Sequence, residues 1–188
     1  MHPKALIDHC AELIAQTLTF DHPADATVSQ YCREQRSLGS RERPLLADAV
    51  YALLREKPLL EWLLKKLPPP KAVPSASHKA PRPAKGAKPA PAPSAKARAL
   101  ALLALRQQTE FLAQAATAEE LVWLDACRAL EANPPADQPP ACRHGLPDWL
   151  AAALQAELGD GFDALAAALK EGAPLDLRVN PLKAKRAV

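Results

Sequence analysis

Cysteine and histidine are the side chains with which this chain could hold a metal or attack an electrophile. Cys10, Cys32, Cys127 and Cys142 stand far apart, and no Cys-x-x-Cys pair occurs. Cys142 and His144 are close, but two ligands do not make the four of a tetrahedral zinc site. The spacing therefore predicts no metal centre and four reduced thiols, as in a cytoplasmic protein. The histidines form no His-Glu-x-x-His pair and read as surface or loop residues. Isolated glycines supply no phosphate-cradling loop, and no Ser or Cys sits on a recognisable nucleophile turn. Glu119 and Glu120 suit the start of a helix better than an acid–base pair. The expectation is a polypeptide that by itself catalyses nothing and carries no cofactor.

Positioning falls to helices. Alanine and leucine dominate, aromatics make up 4% and Gly numbers 6, which favours an all-α fold over a β-sandwich. Leu6, Cys10, Leu13, Ile14 and Leu18 recur at helical spacing and predict a first helix from Pro3 to Thr19. Ala24, Val28, Tyr31 and Cys32 predict a second, Pro23 to Gln35, stopped by Leu38-Gly39 with Gly39 in left-handed geometry. Ser40 suits the cap of a third helix, whose inner face is Leu45, Leu46, Ala49, Val50, Leu53 and Leu54. Pro58 should end it and open a fourth, Leu59 to Leu67, with Trp62 and Leu63 inside.

From Pro68 to Ala95 the chain is Pro, Ala, Lys and Ser, and no Asp or Glu occurs between Glu61 and Glu110. Lys71, Lys79, Arg82, Lys85 and Lys88 are uncompensated there. Such a stretch cannot bury enough apolar surface to offset its ordering entropy, so it reads as a disordered basic linker. It is either a solvated spacer or an arm that samples RNA phosphates. Helical sequence resumes at Lys96. Thr117-Ala-Glu-Glu120 has the capping-box pattern and opens a helix carrying Leu121, Val122, Leu124, Ala126 and Leu130. Asn133 to Pro140 reads as a loop. Leu146-Pro-Asp-Trp-Leu150 opens a helix that buries Trp149, Leu150, Leu154 and Leu158, and Phe162 to Lys170 forms a short one. Leu175, Leu177 and Val179 then alternate with polar residues, the period of a strand. That strand lacks a sister in the chain and reads as the truncated start of an α+β domain.

The net charge is +3, too mild to name a partner. The N-terminus lacks a signal peptide's apolar core, and no apolar run approaches the ~18 residues of a membrane span, so the protein is expected in the cytoplasm and off the membrane.

Two stretches carry a resemblance. Leu38-Gly-Ser-Arg-Glu-Arg43 with Ala47-Asp-Ala-Val-Tyr-Ala-Leu-Leu-Arg55 resembles the signature of a NusB-like helical domain in the RsmB/Fmu/Sun family of rRNA cytosine-5 methyltransferases. Leu146-Pro-Asp-Trp-Leu150 through Leu177-Arg-Val-Asn-Pro-Leu-Lys183 resembles that family's junction to a small RRM-like subdomain. The resemblance implies a NusB-like bundle in two halves, 1–67 and 96–142, split by the linker 68–95. It implies connector helices and a first RRM-like strand over 143–188. Family members use S-adenosylmethionine and two cysteines in Pro-Cys and Thr-Cys motifs. Cys127 and Cys142 both follow alanine, so no catalytic or cofactor residue is carried over. Pro44 and the linker depart from the family pattern, and a truncated or frameshifted gene would account for the abrupt end. The implied role is to position RNA, expected to be small-subunit rRNA, for a catalytic domain outside this chain. Arg178, Lys183 and Asn180 are the matching candidates for RNA contact; Arg41 and Arg43, at a helix start that suits phosphate, join them. The alternative is a stand-alone NusB-like module binding RNA or protein in transcription.

Overall fold

The computed structural model describes residues 2–70 and 94–170. The chain divides into two compact units, Met1–Asp148 and Trp149–Val188. Among the described residues the secondary structure is helical throughout, and the first unit is an all-α bundle.

Helix α1 (Pro3–Thr17) begins with proline at its first position, where a missing N–H costs little, and the His2 ring accepts from the Lys4 amide at 3.3 Å. It buries Leu6, Ile7, Cys10, Leu13 and Ile14. It stops two residues earlier than Thr19 because Phe20 takes φ 57, a left-handed conformation that a bulky side chain resists. Helix α2 (Ala24–Glu34) turns Val28 and Tyr31 inward.

Helix α3 (Glu42–Lys66) corrects the expectation of two helices: it runs 25 residues straight through Pro58. A proline there forfeits the bond to the Leu54 carbonyl and costs about 3 kcal/mol. The buried stripe Leu46, Ala49, Val50, Leu53, Leu60 and Leu63 stays in phase across it. Each buried leucine contributes roughly 1.5–3 kcal/mol, so keeping that stripe on one face outweighs the proline. The start of α3 also differs from expectation. Arg41, not Ser40, is the cap residue, and its side chain makes no capping bond. Gly39 is absent from the left-handed residues; the space a Cβ would fill there is taken by Glu42 Oε2, 2.5 Å away.

Helix α4 (Ala95–Ala104) starts at Ser94, whose hydroxyl accepts from the Ala97 amide at 3.1 Å. It is buried almost all round and packs against both α1 and α3, which makes it the centre of the bundle. Helix α5 (Thr109–Ala115) closes on α1.

Helix α6 (Ala118–Ala132) has the capping box complete in both directions: Thr117 N–H to Glu120 at 2.8 Å, and Glu120 N–H to the Thr117 hydroxyl at 3.2 Å. Its inner face is Glu120, Trp123, Leu124 and Cys127. Val122 is 71% exposed and Ala126 is exposed, while the glutamate belongs to the inward row.

Helix α7 (Pro140–His144) starts at the last residue of the stretch read as a loop and packs on α3. Gly145 closes it at φ 70, with Leu146 N–H reaching back to Ala141 O at 3.1 Å. A Cβ on Gly145 would lie 2.6 Å from the Arg55 carbonyl, so α3 and α7 meet there through bare backbone.

In the second unit, helix α8 (Asp148–Leu158), a short 3-10 turn (Gly159–Gly161) and helix α9 (Phe162–Lys170) follow in order. Ala151, Phe162 and Ala166 are buried. Trp149 is 72% and Leu158 41% exposed, so the burial expected for both is not found. The Pro/Ala/Lys linker beyond Pro70 and the strand at Leu175–Val179 lie outside the described residues.

Candidate nucleic-acid interface

The arginines of the bundle fall into two populations. Arg98 leaves α4 between α1 and α6: Nη1 donates to Asp8 Oδ1 at 2.8 Å, and Nε and Nη2 donate to Glu120 at 2.7 and 3.2 Å. Arg106, 4% exposed, donates to both Glu131 oxygens at 2.8 Å and to Glu56, joining α6 to α3. Burial opposes the charge on both guanidiniums, and the surrounding carboxylates outweigh it, holding each above the usual arginine range. These two arginines are bolts of the bundle, and no anion from solution can use them. Asp8 Oδ2 is buried without a partner, which offsets part of what its other oxygen contributes.

The second population lies at the turn from α2 to α3. Arg33, Arg36, Arg41 and Arg43 occupy eleven residues, and all four are exposed. Among the described residues Arg33, Arg36 and Arg41 make no ion pair, while Arg43 Nε donates to the Leu38 carbonyl at 3.1 Å. Exposed, unpaired guanidiniums can form bidentate bonds to phosphate. The start of α3 adds less than its arginines suggest, because the Glu42 carboxylate folds over Gly39 and occupies the space there. Of the five residues expected to contact RNA, Arg41 and Arg43 sit together on this turn. Arg178, Asn180 and Lys183 lie outside the described residues.

Arg33 and Arg36 were not among those candidates, though each is separated from Arg41 and Arg43 only by a turn. Nor were Lys65 and Lys96, which the fold brings to one surface. Their signal is the run without Asp or Glu from residue 62 to 109, which extends past the linker into the helical sequence on both sides.

Several buried titratable groups serve the fold instead. His9, expected at the surface, is 2% exposed inside α1, with Nδ1 2.7 Å from the Tyr31 hydroxyl. That hydroxyl donates to Glu12 Oε2 at 2.8 Å, tying α2 to α1. Burial first, and the Glu12 charge second, push the Tyr31 phenol above its usual range. His144 is also buried. Burial raises the Cys10 thiol to about 12. Burial and the nearby Glu131 raise Cys127 to about 11, and burial raises Cys142. These three thiols are protonated at neutral pH and are poor nucleophiles. Among the described residues no three His, Cys, Asp or Glu side chains gather as metal ligands, and no helix is long and apolar enough to cross a membrane.

Residues 146–188 match the family described as Methyltr_RsmF/B-like, ferredoxin-like domain. The match spans 43 of the 188 residues and begins three residues before the second unit, which starts at Trp149. It links this C-terminal stretch to RsmF/RsmB-like methyltransferases. No curated protein and no solved structure matches the chain significantly.

Proposed function

We propose that this chain is the RNA-positioning part of an S-adenosylmethionine-dependent rRNA cytosine-5 methyltransferase. The family match at 146–188 is the observation that carries the reading. The unpaired arginines at the α2–α3 turn support it, because a surface that must seat RNA needs cations not already committed to carboxylates. In this reading the first unit is a NusB-like bundle and the second is the entry to the RRM-like subdomain. Arg41 and Arg43, with Arg178, Lys183 and Asn180, contact the RNA. S-adenosylmethionine and the attacking cysteine belong to a catalytic domain outside these residues.

The test is binding of small-subunit rRNA hairpins, followed by fluorescence anisotropy across a salt series. Affinity should fall steeply with salt, by about 0.7–0.9 in log–log slope per phosphate neutralised. Replacing Arg33, Arg36 and Arg41 together by Gln should flatten that slope. Affinity indifferent to salt, or an unchanged slope in the triple variant, would count against the interface.

A second reading is favoured by one observation: the first unit has a core of its own, whose buried residues run from Leu6 to Cys127. It would then be a stand-alone NusB-like module binding RNA or protein in transcription. Bisulfite mapping of 5-methylcytosine in small-subunit rRNA separates the two. Loss of a methylated position when the gene is deleted supports the first reading; an unchanged map supports the second.

A further inference from the structure

A cavity of about 320 Å³ opens where the end of α3 meets the start of α4; Glu61, Leu64, Lys65, Pro69 and Lys96 line it. That volume is at the small end of ligand pockets. Leu64 and Pro69 form an apolar wall. The charges are unequal. Glu61, the lining carboxylate, is engaged by Lys57 at 3.2 Å and sits 3.9 Å from Lys96. Lys96 is 66% exposed, so its long contact is weak. Lys65 is exposed and makes no ion pair among the described residues. Its neighbour Lys66 is committed elsewhere, to Asp137 at 3.3 Å and over the Trp62 ring at 5.8 Å. The first turn of α4, where Lys96 stands, holds no acidic residue and is capped by the neutral Ser94 hydroxyl, so its end of the helix dipole is positive. An apolar wall beside two available ammonium groups and a helix start fits a ligand with a flat apolar face and an adjacent negative charge.

We propose that this cavity seats one nucleotide of a single-stranded RNA, with the base against Leu64 and Pro69 and the phosphate between Lys65 and Lys96. This rests on the RNA-binding reading and adds a second foothold to it, built from different elements than the α2–α3 turn. A backbone running past Lys65 and Lys96 gains attraction without sequence preference, and the apolar wall favours an unpaired base over a duplex.

The experiment uses the full chain and a single-stranded oligonucleotide carrying 4-thiouridine. Lys65→Gln and Lys96→Gln are compared with Lys4→Gln, an exposed lysine on α1. The double variant Lys65→Gln/Lys96→Gln should lower the salt slope by about 0.7, the share of one phosphate, with each single variant losing part of it, and Lys4→Gln should leave it unchanged. Crosslinks should map to peptides holding residues 64–69 or 95–98. If RNA binds, both variants keep the full slope and crosslinks fall only on residues 33–43, the subsite is wrong while the RNA reading stands. If the unaltered chain binds no RNA at any salt, both fail. A glutamate-rich peptide that binds here, when RNA does not, would overturn the proposal in favour of a protein partner. Circular dichroism of each variant guards against loss of fold.

Discussion

The buried ion pairs decide how the bundle answers acid. Burial alone would raise the Glu120 carboxyl, but bonds from Arg98 and from the Thr117 amide hold it below its usual value of 4.5. The folded chain therefore prefers the charged form more than the unfolded chain does. The stability this contributes is complete above about pH 4.5 and is lost as pH falls through the lowered value. Glu120→Gln removes the acid-sensitive part and also leaves Arg98 with Asp8 alone. We expect the variant to be less stable at pH 7 by about 2 kcal/mol, and to lose less than the unaltered chain between pH 6 and pH 3. Urea midpoints at both pH values measure this. Equal acid losses in the two proteins would show that Glu120 is not the sensor. The same pair also shows a limit of sequence reading: Thr117 and Glu120 are three apart and their capping box was legible, whereas Asp8 and Arg98 are 90 positions apart and nothing local announces their contact.

At the scale of elements, local signals succeeded where the nearest neighbours in sequence decide and failed where packing does. The stripes of α1 and α2 placed Cys10, Leu13, Ile14, Val28 and Tyr31 correctly inside. Pro58 reads as a boundary because its own chemistry says so, yet the stripe on both sides of it belongs to one face. On α6 the charged Glu120 takes a place in the inward row through Arg98, a partner that nothing local announces. The cavity at Lys65 and Lys96 was invisible for a similar reason: its two walls are 31 residues apart and meet only when α4 enters the bundle. The proline gives a direct test. Pro58→Ala restores an N–H to the Leu54 carbonyl and relieves the clash with the preceding turn, against a smaller loss from a looser unfolded chain. The net should be a gain of about 2 kcal/mol in chemical denaturation. A variant no more stable than the original would mean that α3 is shaped around the missing bond.

At the scale of the molecule, the bundle is assembled from two stretches of chain, residues 2–70 and 94–148. Their interface is the core itself. Helix α4 from the second stretch packs on α1 and α3 from the first. Asp8–Arg98, Glu56–Arg106 and the bond from Trp123 Nε1 to the Leu67 carbonyl at 3.0 Å all cross between the two stretches. Pro70 and Ala95 line the same narrow crevice, so the intervening 71–93 leaves and re-enters at one place. Joining such close ends through 23 residues instead of a short turn costs little, because closure entropy grows only with the logarithm of length. The covalent link should then be dispensable once the chain has folded. Replacing His78–Ala84 by a site for a specific protease, folding the full chain and cutting it should yield two fragments that elute together in gel filtration. Helicity should be retained, with a melt that is cooperative but concentration-dependent. Fragments that separate at micromolar concentration, or lose helicity on cutting, would show that the two stretches depend on the tether and that the shared core is too weak to hold them.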